Sequence, residues 1–127
     1  MQGRHLYEYA VIRVLPVPER EEFVNVGVIV LCKSADRIQV RTLLNEERVL
    51  AFDREADLEP VRANLRSLER IASGDPQGGP IARLDAPSRF RWLTAVRSSA
   101  IQTSRPHPGT CTDLDEVAER LFRELVL

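Results

Sequence analysis

The residues best equipped for chemistry in this chain lie where one β-rich run ends and the next begins. Arg13, Glu21 or Glu22, and Asn25 supply a guanidinium, a carboxylate and an amide. Gathered around one loop, these groups would bind a phosphorylated or nucleotide ligand, or a protein partner, through charge-assisted hydrogen bonds. The structural alternative is an ion pair between Arg13 and one glutamate that fixes the hairpin, with Asn25 bonded to a nearby backbone group. An arginine buried among apolar strand residues must find a partner in either case. Gly27, set among valines, marks a bulge or a close approach. Tyr7 or Tyr9 is the neighbour expected in the space it leaves, and a ligand at the backbone is the alternative.

Other combinations fall short of a site. His107 and Cys111 are four apart across a Pro-Gly turn, but His5 and Cys32 are the only further soft donors, so no metal site is expected. Asp53, Glu55, Asp57 and Glu59 offer the oxygen ligands that hard cations prefer, although the same residues suit a solvent-facing helix N-terminus. No serine stands in a Gly-x-Ser-x-Gly elbow, and neither histidine has flanking residues that identify a catalytic base. Gly78-Gly79 lacks the Lys-Ser/Thr of a phosphate loop. No catalytic residue is assigned, and no cofactor is expected.

The elements that would position these groups can be read from periodicity. Leu6 to Leu15, rich in β-branched and aromatic residues and closed by Pro16 and Pro18, reads as a strand. Its period of two puts Tyr7, Tyr9, Val11, Arg13 and Leu15 on one face and Leu6, Glu8, Ala10, Ile12 and Val14 on the other. Phe23 to Cys32, apolar on both faces, reads as a central strand with Asn25 and Gly27 on the same side. Lys33 to Asp36 is a turn into a half-exposed third strand, Arg37 to Leu44, and the short connections favour an antiparallel meander. Glu46 to Phe52 is expected as a short helix, followed by a longer one capped by Asp57 and stopped by Gly74. Leu58, Val61, Leu65, Leu68 and Ile71 form its apolar stripe. Asp75 to Pro87 reads as a mobile loop, Ser88 as the cap of a short helix through Val96, and Ala100 to Ser104 as a further strand before a break at Pro106 to Gly109. Asp113 and Glu116 stand at capping-box spacing ahead of a C-terminal helix. The fold class is α+β, an antiparallel sheet begun by the three-stranded meander and covered by helices, in a single domain over residues 1–127.

Composition narrows the function classes. Eighteen Lys and Arg against 19 Asp and Glu leave a net charge of −1, which gives no general attraction to phosphate backbones. Nucleic acid is an unexpected partner unless Arg37, Arg41, Arg48 and Arg54 gather on one surface. Cys32 and Cys111 are far apart, with no CxxC pair, and read as reduced thiols of a cytoplasmic protein. The longest apolar run, Val26 to Cys32, is far below the roughly 20 residues a membrane span needs, so no membrane partner is expected.

The run Tyr7-Glu8-Tyr9-Ala10-Val11-Ile12-Arg13, then Pro16, then Glu22-Phe23-Val24-Asn25-Val26-Gly27-Val28, resembles the bacterial domain-of-unknown-function family 3037 (DUF3037). The likeness extends more weakly to Asp57 and to the closing Leu121-Phe122 helix. The family carries no assigned activity. Members of similar sequence are encoded in some bacteria beside kinases resembling the toxin HipA, so the resemblance implies an accessory or regulatory partner role. The functional expectation is a non-catalytic interaction module. The alternative is a small enzyme or binder acting on a phosphorylated or nucleotide ligand through Arg13, Glu22, Asn25 and Gly27.

Overall fold

A computed structural model of the chain describes residues 4–95 and 101–127. The β-branched and aromatic residues His5–Val14 form β1, Val24–Cys32 forms β2 and Arg37–Thr42 forms β3. β2 pairs antiparallel with both β1 and β3, so the expected meander opens the sheet. Its second turn closes where the Asp36 amide donates to the Lys33 carbonyl at 3.1 Å. Asp36 sits there at φ 50°, a left-handed conformation to which Asp is better suited than most side chains.

Two later strands, β4 (Ile101–Thr103) and β5 (His107–Cys111), complete the sheet. Both run antiparallel to β1 along its other edge, β4 beside Ile12–Val14 and β5 beside His5–Tyr9, giving the order β3-β2-β1-β4 with β5 on the same side as β4. β5 corrects the expected break at Pro106 to Gly109. Between β4 and β5 the Val11 amide donates to the Ser104 hydroxyl, and the Ser104 amide donates back to the Val11 carbonyl, both at 2.8 Å. Odd-numbered residues of β1 therefore direct their backbone groups at this edge. Pro108 lies opposite even-numbered Glu8, so its nitrogen points away from β1 and its missing N–H removes no ladder bond.

The helices are α1 (Glu46–Phe52), α2 (Leu58–Ser73), α3 (Ala86–Ala95) and α4 (Leu114–Leu125). Asp57 and Asp113 cap α2 and α4 through their carboxylates, and Gly74 ends α2 at φ 74°. The cap of α3 is Asp85, which accepts the Ser88 amide at 2.9 Å, three residues before the expected cap Ser88. The expected ends at Val96 and Ala100 lie outside the described residues. The segment read as a mobile loop forms two 3-10 turns, Pro76–Gly78 and Pro80–Arg83, with Ala82 buried.

Both faces of the sheet are covered. On one, Leu58, Val61, Leu65, Leu68 and Ile71 of α2, with Phe90 and Leu93 of α3, pack against Ala10, Ile12, Val14, Ile29 and Leu31. On the other, Leu114, Val117, Ala118 and Leu121 of α4 pack against Tyr7, Val28, Val30 and Cys32. Each fully buried aliphatic side chain contributes about 1.5–3 kcal/mol relative to exposure, which explains why β1 and β2 read as apolar on both faces. Among the described residues, no helix is long and apolar enough to cross a membrane.

One irregularity decides how the first hairpin presents its side chains. Ile12 pairs with Gly27 and Arg13 with Asn25, leaving Val26 as an extra residue on β2. This bulge reverses the alternation, so Val24 and Val26 join Ile29 and Leu31 on the face toward α2. Asn25 and Gly27 therefore do not share a face, contrary to the regular-strand expectation.

Candidate functional site

The Arg13–glutamate pair expected at the hairpin does not form. Glu22 instead meets Arg20 at 2.9 Å, with both side chains well exposed. The Arg13 guanidinium lies over the Phe23 ring, 4.1 Å from its centroid, a cation–π contact. Its cross-strand neighbours are Asn25 on β2 and Gln102 on β4, so three long polar residues share one row of the sheet. Within that row Arg13 Nε and Asn25 Oδ1 are buried without a hydrogen-bond partner among the described residues.

Asn25 is committed elsewhere by its amide nitrogen. Nδ2 donates to the Leu125 carbonyl at 3.0 Å, and Arg48 Nη1 donates to the Val126 carbonyl at 3.0 Å. The last carbonyls of a helix have no intrahelical donors and form the negative end of its dipole, so an amide from β2 and a cation from α1 together hold the end of α4. Gly27 has a packing role on the opposite face. An added Cβ would lie 2.7 Å from the Arg41 carbonyl oxygen, 3.0 Å from the Thr42 methyl and 3.1 Å from Ile12 Cδ1. The expected tyrosine neighbour is thus replaced by the β3 backbone, and Tyr7 packs over Gly109 instead. Of the four candidates, Arg13 and Asn25 come together beside Phe23, Glu22 turns to Arg20, and Gly27 lies behind the sheet from Asn25.

Next to Asn25 opens a cleft of about 340 Å³ lined by Phe23, Arg48, Ala51, Phe52 and the chain from Leu125 to Leu127. Phe23 is 44% exposed, Phe52 40% and Leu127 58%. Sequence reasoning missed this surface because its parts come from β2, α1 and α4. The available signal was Phe52 at the last position of a short helix and Phe23 at the mouth of a strand, both outside any periodic core stripe. A larger hollow of 640 Å³ opens where β1 begins, lined by His5, Leu6, Glu8, Lys33, Ser34 and Pro108 among others. There His5 Nδ1 lies 3.4 Å from the Ser34 hydroxyl, itself 3.6 Å from Cys32 Sγ.

The arginines considered for nucleic-acid binding are drawn to different partners. Arg37 pairs with Asp115 of α4 at 3.2 Å, Arg41 donates to Gln39 Oε1 and the Val40 carbonyl, and Arg48 holds the end of α4. Arg54 is exposed. Both cysteines are free and buried. Burial pushes the Cys111 thiol pKa up, with Cys32 and Asp113 adding smaller effects in the same direction. Among the described residues, no three His, Cys, Asp or Glu side chains are grouped to hold a metal ion.

The model of a family described as "Protein of unknown function (DUF3037)" matches residues 9–126. No curated protein and no solved structure matches the chain.

Proposed function

Since the chain belongs to the DUF3037 family, which names no activity, we propose from the geometry that it is a non-catalytic interaction module of the bacterial cytoplasm. The observation that carries this reading is the exposed apolar rim of Phe23, Phe52 and Leu127 around the 340 Å³ cleft. Aromatic side chains are enriched at protein interfaces and dominate their energetics when they fill a partner's pocket. The polar groups beside the rim support the same reading, because Asn25 and Arg48 are engaged in holding α4 and Arg13 is stacked on Phe23.

The partner class to test first is a HipA-like kinase, the one the family resemblance points to. The tagged chain is co-expressed with a HipA-like kinase of its own genome and the pair is run by size exclusion, with and without nucleotide. A complex that forms with the wild type and is lost with Phe52→Glu, while the variant keeps its thermal midpoint, supports the reading. Elution of the chain alone under every condition counts against the kinase.

A further inference from the structure

We infer that the free edge of β3 is a docking site for an extended acidic segment of a partner protein, which adds to the sheet as a sixth strand. The inference rests on the interaction-module reading and names a surface distinct from the aromatic cleft.

The backbone register shows which groups the edge offers. The Leu43 amide donates to the Val26 carbonyl at 2.7 Å, and the pairing continues without slip from Gly27 opposite Thr42 to Cys32 opposite Arg37. In an antiparallel ladder, hydrogen-bonded and non-hydrogen-bonded pairs alternate. Arg37, Gln39 and Arg41 therefore exchange bonds with β2, while the amides and carbonyls of Ile38, Val40 and Thr42 point outward. An independent contact agrees: Arg41 Nη1 reaches the Val40 carbonyl at 3.2 Å from outside the ladder. β3 pairs with no strand other than β2 among the described residues, so these outward groups form a template for strand addition.

Charge selects the occupant. A groove of 510 Å³ runs between this edge and α2, lined by Val40, Arg41, Thr42, Arg66, Glu69 and Arg70. Glu69 already accepts the Thr42 hydroxyl, and the Arg70 guanidinium has no partner among the described residues. Side chains of an added strand alternate between the two faces of the sheet. On one they would meet Arg41 and Arg37, the latter paired with Asp115 at 3.2 Å, and on the other Arg70 and Arg66, the latter 3.5 Å from Glu59. A second copy of this chain is disfavoured as occupant, because two β3 strands side by side would crowd both copies' Arg37 and Arg41 onto one face, and like charges across strands destabilise pairing. An acidic guest instead offers a carboxylate to Arg41 and its own amide to the Val40 carbonyl that Arg41 now covers.

The test uses the full chain and a blocked octapeptide of alternating Glu and Val, with a Lys/Val octapeptide and a single-stranded oligonucleotide as competitors. The expected result is binding of the Glu/Val peptide at least tenfold tighter than Lys/Val, with slowed amide exchange at Ile38, Val40 and Thr42. Arg41→Glu should weaken it at least tenfold. Val40→Pro should do so too while sparing the β2 ladder, since the amide it removes points outward; its fold is checked by thermal melting, and Arg41→Glu stands as the test if it fails to fold. Failure of the Glu/Val peptide to bind at millimolar concentration, binding that leaves those three amides exchanging freely, or an oligonucleotide that binds there while the peptide does not, each overturns the inference. If the co-expressed kinase is retained by Arg41→Glu and released by Phe52→Glu, the edge inference falls and the interaction-module reading stands.

Discussion

Replacing Gly27 with Ala tests whether this residue serves packing or leaves the backbone open to a ligand. Gly27 has no positive φ, so alanine suits the backbone there, and the loss of unfolded-state freedom would by itself stabilise by about 0.4–1 kcal/mol. Space opposes it. The new Cβ would sit 2.7 Å from the Arg41 carbonyl oxygen, where ordinary contact begins at 3.4 Å, so β3 must retreat by about 0.7 Å. That movement is resisted by the bond from the Leu43 amide to the Val26 carbonyl and by Ile12, whose Cδ1 lies 3.1 Å away and is itself fully buried. Overpacking of this kind costs about 1–3 kcal/mol, so with the gain of about 0.4–1 kcal/mol set against it the net loss is about 1.3 kcal/mol and at most about 2.6 kcal/mol. For a domain of this size each kcal/mol moves the melting temperature by roughly 4 °C, so Gly27→Ala should melt about 5 °C, and at most about 10 °C, lower in a calorimetric scan. An alanine variant that melts at or above the wild-type temperature would refute the packing account, because it would show that β3 yields freely at Gly27 and that the gap is accessible space.

Three further outcomes are expected. Arg89 Nη1 bonds the Ile71 and Ala72 carbonyls at 3.4 and 3.2 Å, so Arg89→Ala should destabilise by about 1–3 kcal/mol in urea unfolding; an unchanged midpoint would deny this closure of α2. The Asp85 carboxyl is held below its ordinary value of 3.8, first by the Ser88 hydroxyl and then by the Ser88 amide. Its stabilisation is thus present above pH 3.8 and lost as pH falls through the lower folded value, and the melting gap between wild type and Asp85→Ala should narrow as pH drops below 3.8. Burial raises the Cys111 pKa and encloses Cys32, so a thiol reagent at pH 8 should label both only after denaturation, and fast native labelling would contradict the burial.

What could be read from the sequence was what short-range physics determines. α1 and α2 fall where they were expected, because the Asn45 cap of α1 and the Asp57 and Gly74 caps of α2 act within a turn of themselves. The hairpin chemistry was misjudged because its partners are remote: Asn25 bonds Leu125 and Arg48 bonds Val126, and no local pattern announces either contact. The bulge at Val26 was equally hidden, since valines on both sides of it satisfy a buried strand in either parity. Pro108 misled in the opposite direction. A proline in a predicted strand argues against that strand, and the argument fails here only because the register turns its nitrogen away from β1.

That same proline explains why the two edges of the sheet differ as docking surfaces. Along the outer side of β5 the groups facing away from β1 belong to Pro108 and Thr110, and Pro108 offers no amide, so a strand arriving there would find one donor where it needs a row. Between β5 and β4 the Val11 amide is taken by the Ser104 hydroxyl in place of a backbone carbonyl, so β4 and β5 flank β1 as two separate short strands and present no continuous edge. Such devices are how proteins blunt an edge. β3 has neither. Its outward amides at Ile38, Val40 and Thr42 are evenly spaced, and its guard is one guanidinium lying on the Val40 carbonyl, a bond that a competing carboxylate can draw away. An edge closed by a proline rejects every strand alike, whereas an edge closed by an arginine admits the strand that carries the opposite charge. This difference is why the docking assignment goes to β3 and why its test turns on the sign of the peptide's charge.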